Sequence, residues 1–295
     1  MSPVPLETLN KADRETFAAA LGEVMELAPW VADEAYAARP FATVAALHAA
    51  MTDAVRKAPD AQLRALIAGH PDLAGKAARE GKLTADSTAE QAGAGLDRLS
   101  EEEFAAFHRL NDAYRKKFGM PFIVCVRRHG KESILREFEL RLTNDAASER
   151  AAALGEIFRI AALRLDSRVT GPDRLQVHGH LSTHVLDTHG GHPAAGVRIE
   201  LCEIGAKGAA RTLLRAVTNA DGRTDKPLIG GAPIPIATYE LRFAVGEYFA
   251  KKTTLMSNPP FLGIVPVRFG VAEPEGKYHV PLLVTPWAYS TYRGS

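Results

Sequence analysis

Residues 166–185 read DSRVTGPDRLQVHGHLSTHV, and the fold is decided there. Up to Arg168 the apolar residues recur every three or four positions. Leu154, Ile157, Ile160 and Ala161 fall on one stripe, as an amphipathic helix requires. After Thr170-Gly171-Pro172 the period drops to two. Val177, Leu181 and Val185 alternate with His178, His180, Ser182 and His184, and successive side chains of a strand face opposite ways. The change of period predicts a multidomain chain, with an all-α domain over 1–168 and an all-β sandwich over 175–295.

Both halves carry the local signals that their period demands. Upstream, Ser100 to Glu103 is a capping box, in which the hydroxyl and the carboxylate satisfy N–H groups at a helix start. A helix is expected onward through Phe104, Phe107 and Leu110. Another is expected over Ala146–Leu165, started by Asn144 or Asp145. Downstream, Val197, Ile199 and Leu201 alternate with Arg198, Glu200 and Cys202. Ala237–Val245, Val265–Val271 and His279–Val284 read as further strands, and Asp221-Gly222 as a hairpin-type turn. Short strands between Gly and Pro turns predict a β-sandwich.

Composition bounds the rest. The 295 residues suit two domains of roughly 100–200 residues each. A formal net charge of +1 gives no reason to expect a nucleic acid or an anionic membrane surface as partner. Cys125 and Cys202 each sit in an apolar, strand-like run and read as small packing residues. Two cysteines make no disulfide framework and suit a reducing compartment. The N-terminus lacks a basic start followed by an apolar run, and no stretch approaches the ~18 continuous apolar residues of a membrane span. A soluble, cytoplasmic protein is expected.

The polar face of 178–184 has three readings. It is the solvent side of a sheet, or a metal site, since His is the commonest metal ligand, or a metal-free hydrolytic site using His184. The run Leu181-Ser182-Thr183-His184-Val185-Leu186-Asp187-Thr188 resembles the start of the 5-hydroxyisourate hydrolases, the transthyretin-related enzymes. Thr218-Asn219-Ala220-Asp221-Gly222-Arg223, Tyr278-His279-Val280-Pro281-Leu282-Leu283 and the terminal Tyr292-Arg293-Gly294-Ser295 resemble three further motifs of that family, in the same order. The resemblance implies a transthyretin-like sandwich. It also implies a site built from His184, Arg223, His279 and Ser295 as catalytic residues, with Tyr292 at the substrate and no metal. Opening a cyclic amide needs a base for water and a cation for the oxyanion, roles that suit a His and Arg223. Transthyretin shares the fold as a hormone carrier but lacks this residue set.

The helical half carries a second set. Gly69-His70-Pro71-Asp72-Leu73-Ala74-Gly75-Lys76 lies between helical stretches. It is followed by Ser87-Thr88-Ala89-Glu90-Gln91 and by Phe118-Gly119-Met120-Pro121-Phe122-Ile123-Val124-Cys125-Val126. On residues alone, His70 marks a helix boundary before a Pro, Glu90 and Gln91 are solvated, and Phe122–Val126 is core. Together the runs are similar to the 2-oxo-4-hydroxy-4-carboxy-5-ureidoimidazoline (OHCU) decarboxylases, with Met120 where that family usually has Phe. The resemblance implies an all-helical, cofactor-free domain with His70 as catalytic acid and Glu90 beside it. Pro71, Ser87, Gln91, Phe122, Ile123, Val124, Cys125, Val126 and Arg164 would then contact substrate. Arg164 also reads simply as a cation near a helix C-terminus.

The product of the first family's reaction is the substrate of the second's, so the two resemblances support each other. The order along the chain resembles the fused allantoin synthases. Small-molecule substrates and a homotetramer held through the C-terminal domain are expected. A single-activity enzyme with a scaffold domain, a binding module and a His-dependent metal hydrolase are the alternatives.

Overall fold

A computed structural model describes residues 3–75, 83–205, 208–252 and 256–294. Ser295, expected at the second site, lies outside the described residues. The chain forms two compact units: 1–127 with 133–177, and 128–132 with 178–295. The division is therefore not a single cut. Residues 128–132 belong with the second unit, where Ile236 N–H donates to Arg128 O (2.8 Å) and Gly130 N–H donates to Ile236 O (3.2 Å).

The first unit is helical, in the order α1 (Leu6–Lys11), α2 (Arg14–Leu21), α3 (Trp30–Tyr36), α4 (Val44–Lys57), α5 (Asp60–Ala68), α6 (Ala85–Gly93), α7 (Glu101–Phe118), α8 (Lys131–Arg141) and α9 (Ala146–Arg168). Side-chain oxygens start the helices: Asp13 on α2, Thr43 on α4, Thr84 on α6 and Asp145 on α9. At α7 both halves of the Ser100–Glu103 capping box form. A two-residue parallel ladder pairs β1 (Val4–Pro5) with β2 (Val169–Thr170), a small departure from pure helix. One apolar core gathers α1 to α5 around α9, with Phe17, Leu47, Met51 and Ile157 at its centre. A second lies between α7, α8 and the 122–126 segment. There the Phe122 and Phe138 rings stack at 3.7 Å and Tyr114 meets both edge-on. Each such aromatic pair adds about 0.5–1.5 kcal/mol beyond its buried area.

The second unit is built from strands. A four-stranded antiparallel sheet has the order β10 (Ile264–Val271), β9 (Ala237–Ala244), β6 (Arg198–Ile204), β7 (Ala210–Val217). A three-stranded ladder runs β11 (Lys277–His279), β3 (His180–Ser182), β8 (Ile229–Gly230). A four-stranded one runs β13 (Tyr289–Thr291), β12 (Leu282–Val284), β4 (Val185–Asp187), β5 (His192–Pro193). Inward residues of all three, including Leu181, Val185, Ile199, Leu241, Val265 and Leu282, share one core, which makes the unit a sandwich. A short helix, α10 (Val245–Ala250), follows β9 and has no sequence-level signal of its own.

Four sequence-based expectations need correction. The alternation over 177–185 holds for burial, but the strand is interrupted at Thr183-His184. The run His279–Val284 is likewise broken at Val280-Pro281, because Pro has no N–H for a ladder. Cys125 is buried as expected but lies in an extended segment outside any strand. The Asp221-Gly222 turn is real, yet β7 and β8 on either side of it do not pair, so it closes no hairpin.

Candidate active sites

In the first unit a pocket opens between the end of α5, α6, the 122–126 segment and α9. The structure brings together there all eleven residues expected: His70, Pro71, Ser87, Glu90, Gln91, Phe122 to Val126 and Arg164. Leu73, Arg127 and Ile160 complete the lining. The imidazole of His70 is buried, and its Nδ1 lies 2.9 Å from Leu66 O. A carbonyl can only accept, so Nδ1 carries the proton. Burial holds the His70 pKa below its ordinary 6.5; the Leu66 bond and the Glu26 charge oppose this, and Arg164 adds to it. The resting ring is therefore neutral, with its lone pair on Nε2. That atom is buried and has no partner among the described residues. An unpartnered buried acceptor is costly unless a ligand supplies the donor.

Arg164 is held between two carboxylates. Its Nε and Nη2 donate to the two Glu90 oxygens at 2.9 and 2.8 Å, and its Nη1 donates to Glu26 Oε2 at 2.7 Å. Burial disfavours its charge, but Glu90 and Glu26 outweigh burial and raise its pKa. Arg164 thus fixes Glu90 rather than standing open to an anion. Glu26 escaped the sequence reading. Its Oε1 accepts from Thr84 Oγ1 (2.7 Å) and Ser87 Oγ (3.0 Å), so the cap of α6 is tied into the site. Burial pushes the Glu26 carboxyl up, but bonds from Thr84 and Arg164 bring it below the ordinary carboxylate value. The one trace in the sequence is an acid inside the apolar run Val24-Met25-Glu26-Leu27-Ala28.

The remaining lining is set from behind. Ala74 N–H donates to Gln91 Oε1 (3.0 Å), which leaves the Gln91 amide donors for a ligand. The extended wall is pinned by Arg141 Nη1 to Ile123 O (2.6 Å) and by Cys125 N–H to Glu156 Oε2 (2.8 Å). Arg141 is itself paired with the fully buried Glu149, which also takes the Tyr114 hydroxyl. Neither Arg141 nor Glu149 stood out in sequence, since their pairing, eight residues apart, joins two different helices and their other partners, Ile123 and Tyr114, lie further away along the chain.

In the second unit the two strand interruptions lie side by side. Val280 N–H donates to Ser182 O (3.0 Å), Leu282 N–H donates to His184 O (2.8 Å), and Thr183 Oγ1 donates to Val280 O (2.7 Å). His184 sits in one break and His279 at the edge of the other. His184 bridges the backbone of Arg223, and His279 that of Gly294, so the expected residues and the C-terminal tail meet here. Two glycines make this possible. A Cβ at Gly222, whose φ is +70°, would lie 2.3 Å from Val185 O; one at Gly294 would lie 2.7 Å from His279 Cδ2. Tyr292 is exposed on the tail.

Burial and then the Arg223 charge hold the His184 pKa below 6.5, while a bond to the Asp221 carbonyl opposes them. His184 Nε2 is buried without a partner among the described residues, and the lowered pKa keeps the resting ring neutral. His279 is lowered by burial, then by Arg223, His184 and His180; its Nδ1 lies 3.0 Å from Ser182 Oγ. Ser182 was placed on the polar face by alternation, but its contact with His279 follows only from the parallel pairing of β3 with β11. Among the described residues no three His, Cys, Asp or Glu side chains converge as a metal-binding group, and no helix is long and apolar enough to cross a membrane.

Each unit thus presents a neutral imidazole whose Nε2 is buried without a partner among the described residues, with a guanidinium nearby, an arrangement suited to acid–base chemistry. The chain belongs to the OHCU decarboxylase family over residues 10–166 and to the HIUase/transthyretin family over residues 181–294. It is 55% identical over 119 residues to 5-hydroxyisourate hydrolase of Deinococcus radiodurans, covering 40% of this chain and 98% of that protein. It is 38% identical over 176 residues to 2-oxo-4-hydroxy-4-carboxy-5-ureidoimidazoline decarboxylase of Halalkalicoccus jeotgali, covering 60% of this chain and 98% of that one. A crystal structure of (S)-allantoin synthase matches 99% of this chain and 100% of its own, at 36% identity and a TM-score of 0.51.

Proposed function

We propose that this chain converts 5-hydroxyisourate to (S)-allantoin in two steps, hydrolysis in the C-terminal unit and decarboxylation in the N-terminal unit. One observation carries the reading: both families occur in one chain, in the order of a solved (S)-allantoin synthase that it matches from end to end. The domains we assign to these activities are 1–168 and 175–295.

In the first step His184 Nε2 takes a proton from water as the oxygen attacks a ring carbonyl. Arg223 faces the oxyanion that develops. The carbonyl carbon–nitrogen bond then breaks, and the His184 imidazolium returns the proton to the leaving nitrogen. His279, held by Ser182, contacts the substrate, and Ser295 and Tyr292 complete the site. In the second step the carbon–carboxylate bond breaks and its electrons pass into the conjugated imidazoline. His70 rests as a base, so its acid role requires prior proton uptake. Nε2 accepts the substrate hydroxyl proton as carbon dioxide departs, then delivers it to one face of the carbanion; a solvent proton completes the balance. Glu90, fixed by Arg164, and the Gln91 amide orient the ring and ureido groups.

A homotetramer through the C-terminal unit is part of the proposal. Phe261, Ile264, Trp287, Tyr289 and Tyr292 are exposed there, large apolar side chains that a partner subunit would cover. A monodisperse monomer in light scattering would remove it. The cytoplasm is the proposed location, in keeping with the two buried cysteines. The test of function is to generate 5-hydroxyisourate from urate in situ and follow ultraviolet absorbance and circular dichroism together. Rapid loss of both intermediates with optically active allantoin is expected; no acceleration of either step sinks the reading.

A further inference from the structure

The N-terminal cavity holds more negative than positive charge at its buried end. Glu90 in the lining and Glu26, behind it on the far side of Arg164, are opposed by one guanidinium, Arg164, whose bonds to them leave it little to offer an incoming anion. His70 is neutral. A substrate that loses carbon dioxide must arrive with a carboxylate, and an unpaired carboxylate entering a buried site beside net negative charge is repelled. One other cation lines the cavity. Arg127 is half-buried at the end of the 122–126 wall, where a single 3-10 turn (Val126–Arg128) begins. It has no ion-pair or hydrogen-bond partner among the described residues. The fork of a guanidinium matches a carboxylate in two parallel hydrogen bonds.

We propose that Arg127 is the residue that recognises the substrate carboxylate, and that it sets the preference of this site for an anionic over a neutral imidazoline. The inference rests on the decarboxylase reading of the cavity. Arg127 acts in binding rather than in the bond-breaking step, because a cation that held the carboxylate tightly through the reaction would stabilise the ground state.

The experiment uses the full chain with Arg127→Gln and Arg127→Lys. Decarboxylation kinetics are measured beside equilibrium binding of two probes of one shape, imidazole-4-carboxylate and imidazole-4-carboxamide. Arg127→Gln is expected to raise KM about 10-fold or more with kcat within about 3-fold, and to weaken carboxylate binding by a similar factor while sparing the carboxamide. Arg127→Lys is expected to restore most of the loss. An unchanged KM, or equal weakening of both probes, overturns the assignment, since the second result describes a wall residue and not a charge reader. Probe binding needs no turnover. A wild-type chain that binds the carboxylate through Arg127 yet decarboxylates nothing would sink the decarboxylase reading and leave Arg127 as an anion site.

Discussion

Two buried nitrogen atoms without partners among the described residues, His70 Nε2 and His184 Nε2, carry the proposed chemistry at the residue scale. On the proposed mechanism, substituting His70 or His184 by Ala removes one base and leaves the other. His70→Ala is expected to cut the second step by about 100-fold or more, with the first step intact and slow, racemic allantoin formed. His184→Ala is expected to do the converse; circular dichroism with stopped-flow absorbance checks both. The lowered His70 pKa fixes a pH dependence. The folded ring resists protonation while the unfolded ring titrates near 6.5, so the unfolded state binds more protons as pH falls below that value. Stability from this group is complete above about pH 6.5 and declines below it, until the folded pKa is reached. The acid limb of the decarboxylation rate is expected below pH 6.5. Its appearance above pH 6.5 would refute a neutral resting His70. Glu26→Gln removes a charge that raises the His70 pKa, so the limb is expected to move further toward acid. An unchanged profile would show that the Glu26 charge does not tune His70 and that its part is to hold Arg164 and the start of α6.

At the scale of elements, the proposed catalytic positions follow from where regular structure stops. His70 lies just past α5, and His184 and His279 lie at two adjacent interruptions of parallel-paired strands. The tail is brought to His279 by a contact that only glycine allows at 294. Gly294→Ala is expected to push the tail away and lower the hydrolytic kcat about 10-fold or more, with decarboxylation unaffected. Gly222→Ala meets both a left-handed backbone and Val185 O, and is expected to lower the melting temperature of the second unit. If Gly294→Ala left hydrolysis unchanged, the tail would have no part in that site. Much of this scale was legible in the sequence. Capping box and apolar stripe announced α7 and α9, and alternation announced the buried and open faces of 177–185. The interruptions were not legible at Thr183-His184, because the residues there have ordinary strand preference. The break reflects pairing with a partner strand interrupted by Pro281.

For the whole molecule, fusion joins two sites whose intermediate is shared. If the intermediate passes through bulk water, equal amounts of the His70→Ala and His184→Ala proteins are expected to restore optically active allantoin when mixed. Racemic product from that mixture, set against stereoselective product from the wild-type chain, would show that transfer requires both sites in one assembly. Fusion fixes the two activities at a one-to-one ratio, which matters most when both intermediates decay spontaneously.

The sequence by itself determined the class of each half and most side chains of the sites, because helical period, strand period and short motifs are local properties. Tertiary structure alone decided which groups oppose one another. Glu26 is 138 residues from Arg164, and Ser182 is 97 from His279. It also decided the charge states. A histidine is an acid or a base according to its burial and the partner of its other nitrogen; for His70 that partner, Leu66 O, is local, but its burial is set by segments distant in sequence.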